Sequence, residues 1–213
     1  MYWHSYYDAT LKTLSVPASF DRKLYTLPPG IKVLKFHEDK KSLILSKFNH
    51  PINNLPHSIQ ILKLGFAFNQ PIKCGSLPPE ITTLQFGDSF NQLIKCGSLP
   101  PIITTLQFGD SFNQPIDEGV LPNTLIFLTF GNSFNQLIDG EVLPPNIKVL
   151  TFGNNFNRPS DSLPLYLSVV IFGKNFSHPT ENLPTGLQLI SLCESYKNNV
   201  RLPYGCKVLY RKN

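Results

Sequence analysis

LPPEITTLQFGDSFNQLIKCGS, Leu77 to Ser98, is followed without a gap by LPPIITTLQFGDSFNQPIDEGV, Leu99 to Val120. Two adjoining 22-residue stretches this alike are copies of one unit. A unit so short cannot bury its own apolar residues, so the copies must stack like on like. Working outward, LPNTLIFLTFGNSFNQLIDGEV begins at Leu121 and LPPNIKVLTFGNNFNRPSDS at Leu143. Weaker copies begin at Leu27, Leu55, Leu163, Leu183 and Leu202, and the Leu27 copy carries an insertion, HEDKKSLILSK. Leu11 to Val16 with Ser19-Phe20-Asp21 fits the same template without its Leu-Pro start.

Each copy reads L-P-x-x-I-x-x-L-x-F-G-x-x-F-N-Q-P-I. The L-x-F alternation has the period of a strand with one buried face. Its first column is Leu34, Leu62, Leu84, Leu106, Leu128, Leu150, Val170 and Ile190. Beside it a Phe column runs Phe36, Phe86, Phe108, Phe130, Phe152, Phe172, with Leu64 and Leu192 in two coils. A further column follows the turn at Phe20, Phe48, Phe68, Phe90, Phe112, Phe134, Phe156 and Phe176, with Tyr196 near the end. Stacking makes all of these core. Proline in N-Q-P-I and L-P-P bars a helix from the return segment.

The expected fold is therefore mainly β. It is a leucine-rich-repeat-like solenoid of about ten coils of 20–22 residues, within the 20–29-residue span of that architecture. A parallel sheet occupies one face, with turns and short extended segments opposite. The whole chain, 1–213, is expected to be one solenoid: 1–26 a degenerate coil and cap, 27–201 the repeats, 202–213 a half-coil cap. Gly65, Gly87, Gly109, Gly131, Gly153 and Gly173 follow the strand; a positive φ is expected there, turning the chain sharply. Asn69, Asn91, Asn113, Asn135 and Asn157, each directly after a core Phe, are expected to form a structural ladder capping backbone groups at a corner.

Composition narrows the function classes. Hydrophobic residues are 41% and charged residues 15% of the chain, which excludes a disordered or coiled-coil chain. No apolar run approaches the length of a membrane-spanning helix, and the start MYWHSYYDATLKT lacks the pattern of a signal peptide. The expected location is the cytoplasm, where the four cysteines remain thiols. Cys74 and Cys96, at one position of successive coils, are expected to be reduced neighbours at a surface turn. The net charge of +5 is concentrated in the first third and the C-terminal end.

The F-N-x-P-I string with its L-P-P start resembles the FNIP repeat family of social amoebae and of giant DNA viruses that infect amoebae. It stands intact at Phe68-Asn69-Gln70-Pro71-Ile72 and at Phe112-Asn113-Gln114-Pro115-Ile116. The resemblance implies a relative of leucine-rich repeats that works by protein–protein interaction. Many viral proteins of the family carry an F-box ahead of the repeats; the residues before the first degenerate copy, MYWHSY, are too few for one.

Catalytic chemistry has no foothold. The five histidines occupy unrelated template positions, no Ser/His/Asp order or H-E-x-x-H occurs, and no cysteine pair has zinc spacing. Asp88 and Asp110 are followed in the next coils by Asn132 and Asn154, so the carboxylate row does not continue. No catalytic residue, cofactor site or metal site is expected.

If L-x-F points inward, the residues before and between point outward. These columns differ from copy to copy: Lys35, Lys63, Gln85 and Gln107 early, then Phe127, Val149, Val169, Ile171 and Leu189. Val208 and Tyr210 extend the same columns in the last coil. Variable side chains on a fixed scaffold specify partners, so this is the candidate partner-binding face. The insertion Glu38 to Lys47 is a second candidate surface. The function expected is non-catalytic protein–protein interaction, with a protein partner, host-derived if the chain is viral. The alternatives are a ubiquitin-ligase substrate receptor using a separate adaptor, and weak nucleic-acid binding through the basic first coils.

Overall fold

The computed structural model describes residues 3–39, 41–138 and 141–212. One eleven-stranded sheet runs through them in strict sequence order. Its strands are β1 (Tyr7–Asp8), β2 (Thr13–Val16), β3 (Val33–Phe36), β4 (Ile61–Lys63), β5 (Thr83–Gln85) and β6 (Thr105–Gln107). Then come β7 (Phe127–Thr129), β8 (Val149–Thr151), β9 (Val169–Ile171), β10 (Leu189–Cys193) and β11 (Lys207–Arg211). From β2 onward every pairing is parallel. The result is a β solenoid of about nine turns. At about 4.8 Å per step the nine parallel steps from β2 to β11 run about 43 Å.

Each coil builds its strand in the same way. The carbonyl of the Leu-Pro proline accepts the amide of the residue three on, as from Ile81 to Pro78 (3.3 Å) and Ile103 to Pro100 (3.3 Å). That tight turn delivers the buried Ile and then the strand. Leu14, Leu34, Leu62, Leu84, Leu106, Leu128, Leu150, Val170 and Ile190 are direct register partners, coil upon coil, and nearly all are fully buried. The shorter coils keep this register because the missing residues come out of the return segment.

The two aromatic columns interlock. Within a coil their rings stand close, 4.0 Å between centroids for Phe108–Phe112 and 3.9 Å for Phe130–Phe134. Between coils the sheet-side rings repeat at 5.5 Å (Phe86–Phe108, Phe108–Phe130). The deeper rings repeat at 6.1 and 6.0 Å (Phe90–Phe112, Phe112–Phe134). Strand spacing is about 4.8 Å. Separation therefore grows with depth from the sheet, so the coils fan open away from it and the sheet lies on the inside of the curve.

The glycines after the strands do something other than turn with positive φ. Positive φ occurs instead at Gly30, Gly75, Gly97, Gly119 and Gly205 among the described glycines. At Gly109, a Cβ would stand 2.1 Å from the carbonyl oxygen of Gly87 and 2.6 Å from the Cα of Asp88. Gly87, Gly131, Gly153 and Gly173 meet the preceding coil's backbone in the same way. These glycines exist because main chain packs directly on main chain.

The ends depart from the template. Tyr7–Asp8 pairs antiparallel with β2, and the 3-10 turn Trp3–Ser5 lays the Trp3 ring 5.3 Å from Phe20. The aromatic stack is thereby closed at its N-terminal end. At the other end Tyr196 stacks on Phe176 at 6.0 Å, its hydroxyl donating to the His178 carbonyl (2.8 Å). Val208 and Tyr210, expected on the outward columns, fall instead in register with Ile190 and Leu192. Strand β11 thus pairs with β10 one residue early relative to the template.

Candidate interaction face

The outward columns lie where the strand alternation puts them. Lys35, Lys63 and Gln107 are exposed, and Gln85 is half-buried. Further along, Phe127 is 46% exposed, and Val149, Val169, Ile171 and Leu189 are half-buried. Phe127, Val149 and Val169 are successive register partners, as are Lys35, Lys63, Gln85 and Gln107. The column between the buried pair thus runs from lysines to amides, while the column before it holds Val33 and Ile61 at the lysine end and Phe127, Val149 and Val169 further on. Ser191, on the column between the buried pair, is buried.

Its charge is one-sided. The chain has 14 acidic residues, yet no Asp or Glu occupies an outward position from β2 to β10, and Asp8 of β1, paired with Thr13, is the acid that borders them at that edge. Lys12 and Lys32, just ahead of β2 and β3, add to the basic end. They are stacked by the Lys12 carbonyl, which accepts the amides of Lys32 (2.9 Å) and Val33 (3.2 Å). Lys35 and Lys63 face each other directly and meet no carboxylate among the described residues. At the apolar end Lys148 lies 5.0 Å over the Tyr166 ring and donates to its carbonyl (3.3 Å).

The asparagines sit at the corner opposite. The Asn69 Oδ1 accepts the amide of Asn91 (2.9 Å), Asn91 that of Asn113 (3.0 Å), and Asn113 that of Asn135 (2.9 Å). Asn135 accepts from Asn157 (3.0 Å), and Asn157 from Ser177 (2.9 Å). Each coil's amide side chain so caps the next coil's main chain. Sequence reasoning missed the following glutamine, although F-N-Q recurs. Gln92, Gln114 and Gln136 donate to the same oxygens from Nε2 (3.0, 3.1 and 3.0 Å). Changing Asn113 to Ala leaves the Asn135 amide without its acceptor, while Gln136 Nε2 keeps the Asn113 carbonyl (3.0 Å). A loss of about 1–3 kcal/mol is expected, read from urea unfolding beside a Gln136→Ala control that leaves the Asn135 amide capped.

The insertion is anchored. Asp39 and Ile44 exchange backbone hydrogen bonds (2.8 and 2.9 Å), and the Glu38 carboxylate accepts the Phe66 amide. Asp39 Oδ1 accepts the amides of Lys41 (3.0 Å) and Ser42 (3.3 Å), and hydrogen bonding with Ser42 holds its carboxyl below the usual value. Leu43 and Ile44 protrude at its tip, 80% and 47% exposed.

Other chemistry is sparse. His50 pairs with Asp21 at 3.1 Å, and His178 contacts the Asn157 carbonyl. Cys74 and Cys96 are exposed. Hydrogen bonding with Ser195 lowers the Cys193 thiol's pKa, and burial raises that of Cys206. Among the described residues no group of three His, Cys, Asp or Glu can hold a metal ion, and no helix is long and apolar enough to cross a membrane.

Among solved structures the chain is similar to the giant-virus protein CroV588, described as a novel circular LRR protein structure. The two share 34% identity with a TM-score of 0.84, over 94% of this chain and 30% of that one. This chain thus spans under a third of its length. YopM from Yersinia enterocolitica WA-314 matches at 20% identity and a TM-score of 0.50, over 97% of this chain and 48% of that one. That likeness shows the fold alone. No curated protein sequence matches. The FNIP Repeat pattern matches residues 48–89, 68–102, 90–133 and 134–175. With most of the chain carrying the pattern and the coils stacked as such repeats require, the chain belongs to the FNIP repeat family.

Proposed function

We propose that this chain is a non-catalytic interaction module that takes a protein partner on the outward face of its sheet. One observation carries the reading: buried columns repeat from coil to coil, while the outward positions flanking them change. A scaffold that holds its core constant and varies one surface is suited to recognition. The family, generally without catalytic activity, points the same way. The likeness to a giant-virus protein supports a viral setting in which the partner is a host cytoplasmic protein.

The test substitutes Phe127→Asp and Val169→Asp together in the full chain. Both side chains project from the sheet, so the circular dichroism spectrum and melting are expected to persist. Capture of the partner from host lysate is expected to fall by about tenfold or more, because hot-spot truncation costs upward of about 2 kcal/mol. A Thr pair at the same positions, which keeps strand propensity, guards against a folding defect. Undiminished capture by both folded variants would overturn the reading.

A further inference from the structure

The return turns of two adjoining coils carry two exposed thiols at one place in the template, Cys74 and Cys96. We propose that they form a thiol-modification site. Cys74 takes a small, carboxylate-bearing disulfide of the glutathione class, and Cys96 resolves the adduct into a disulfide that joins the coils. The site is separate from the outward face of the sheet and independent of what that face binds.

The two turns are built alike. The Ser76 amide donates to the Lys73 carbonyl (3.1 Å), and the Ser98 amide to the Lys95 carbonyl (3.0 Å). Gly75 and Gly97 follow the cysteines at φ 69° and 78°. Each turn is pinned at both ends, the first by buried Ile72 and Leu77, the second by buried Ile94 and Leu99. The same two coils stack Phe68 on Phe90 at 6.2 Å, and strands step at about 4.8 Å. Both spacings fall inside the Cα separation of about 4.4–6.8 Å that a disulfide spans. The Cys74 sulfur already reaches over the next turn, since a Cβ on Gly97 would stand 3.0 Å from it. Gly97 adjoins Cys96, so side-chain rotation, with the main chain held, is the motion that closes the bond.

Surroundings divide the roles. Cys74 borders an open recess of about 290 Å³ that Asn53, Asn54, His57 and Lys73 also line, with no Asp or Glu among its lining residues. The Lys73 ammonium there suits the carboxylates of a glutathione-type ligand. Cys193 is buried and Cys206 half-buried, both in the last two coils.

The chemistry is two successive exchanges. Cys74, as thiolate, attacks one sulfur of the disulfide; that bond breaks, and one glutathione leaves as its thiolate. Cys96 then attacks the Cys74 sulfur, and the second glutathione leaves. Two protein thiols are oxidised by two electrons, one glutathione disulfide is reduced by two, and the two protons end on the glutathione thiols.

The experiment treats the fully reduced, full-length chain with glutathione disulfide and follows it by intact-mass and peptide mass spectrometry. The chain is expected to end with Cys74 and Cys96 linked and no glutathione retained. Cys96→Ser should accumulate one glutathione on Cys74, while Cys74→Ser should react at Cys96 about tenfold more slowly, because access limits exchange. Lys73→Glu should slow the first step about tenfold, by placing like charge beside the ligand. With uncharged hydroxyethyl disulfide the same variant should react as the parent does, which a misfolded turn would not permit. Reduced glutathione then reopens the bond, and the folded chain should withstand about tenfold more of it than the chain in urea.

Stable adducts on both cysteines without a link overturn the proposal, as does preferential reaction at Cys193 or Cys206. Equal rates in the two serine variants, or indifference to Lys73→Glu, remove Cys74 as the point of entry. A bond no harder to reduce in the folded chain than in urea shows that the coils do not hold the thiols together.

Discussion

Changing Phe112 to alanine is expected to destabilise the protein by about 4 kcal/mol, the upper range for a buried aromatic. Its ring is fully buried and lies against Phe108 at 4.0 Å, Phe90 at 6.1 Å and Phe134 at 6.0 Å. Truncation removes the transferred area and the ring pairings, and it opens a cavity that stacked coils cannot close. The neighbouring main chains are already in contact through the glycine column. Since whole domains are stable by only about 5–15 kcal/mol, the loss is a large share of the total. Urea unfolding reads it directly. Phe127→Ala, on the outward face, is the comparison and should cost about 1 kcal/mol or less. Equal effects at the two positions would mean that the aromatic zipper is not what holds the coils together. Hydrogen exchange adds a second signature. In a solenoid each coil leans only on its neighbours, so protection should fall most in the coils starting at Leu77, Leu99 and Leu121.

A single methyl group does comparable damage where the backbone is tightest. Gly109→Ala would put its Cβ 2.1 Å from the Gly87 carbonyl oxygen and 2.5 Å from its carbon. The obstructing atoms are main chain, so no rotamer change relieves the clash. The coils must separate, and strand hydrogen bonding near Thr105–Gln107 goes with them. The expected cost is about 3 kcal/mol or more, beyond ordinary overpacking. Gly119 supplies the contrast. It has a positive φ of 75° with nothing within 4 Å of an added Cβ, so Gly119→Ala should cost only the left-handed strain, about 1–2 kcal/mol. Thermal melts of the two variants should therefore differ clearly, with Gly109→Ala the lower. The opposite order would show that these glycines turn the chain after all.

That second comparison marks where sequence reasoning stopped. The 22-residue spacing announced the register, and register determined which residues are buried and which face outward. Such facts are periodic, and one chain displays its own period. The reason for the glycine column was not periodic information. Positive φ and close approach both select glycine, and the letters do not separate them. The face was legible as columns, while the place of Lys12 and Lys32 at its rim came from the hydrogen bonds that join the two coils. The antiparallel pairing of Tyr7–Asp8 escaped because two residues carry no pattern. The last described strand pairs with β10 one residue early, a shift that the repeat spacing does not announce.

The near-identity of the coils from Leu77 and Leu99 bears on how such a chain changes length. Each coil meets the next through the same ladder, the same ring pair and the same backbone contact. A gene segment encoding one coil can be copied or lost whole without disturbing any junction. What shifts is the length of the outward face, and with it the reach of a partner that spans it. Heredity can thus alter specificity here by counting coils, leaving every side chain as it was.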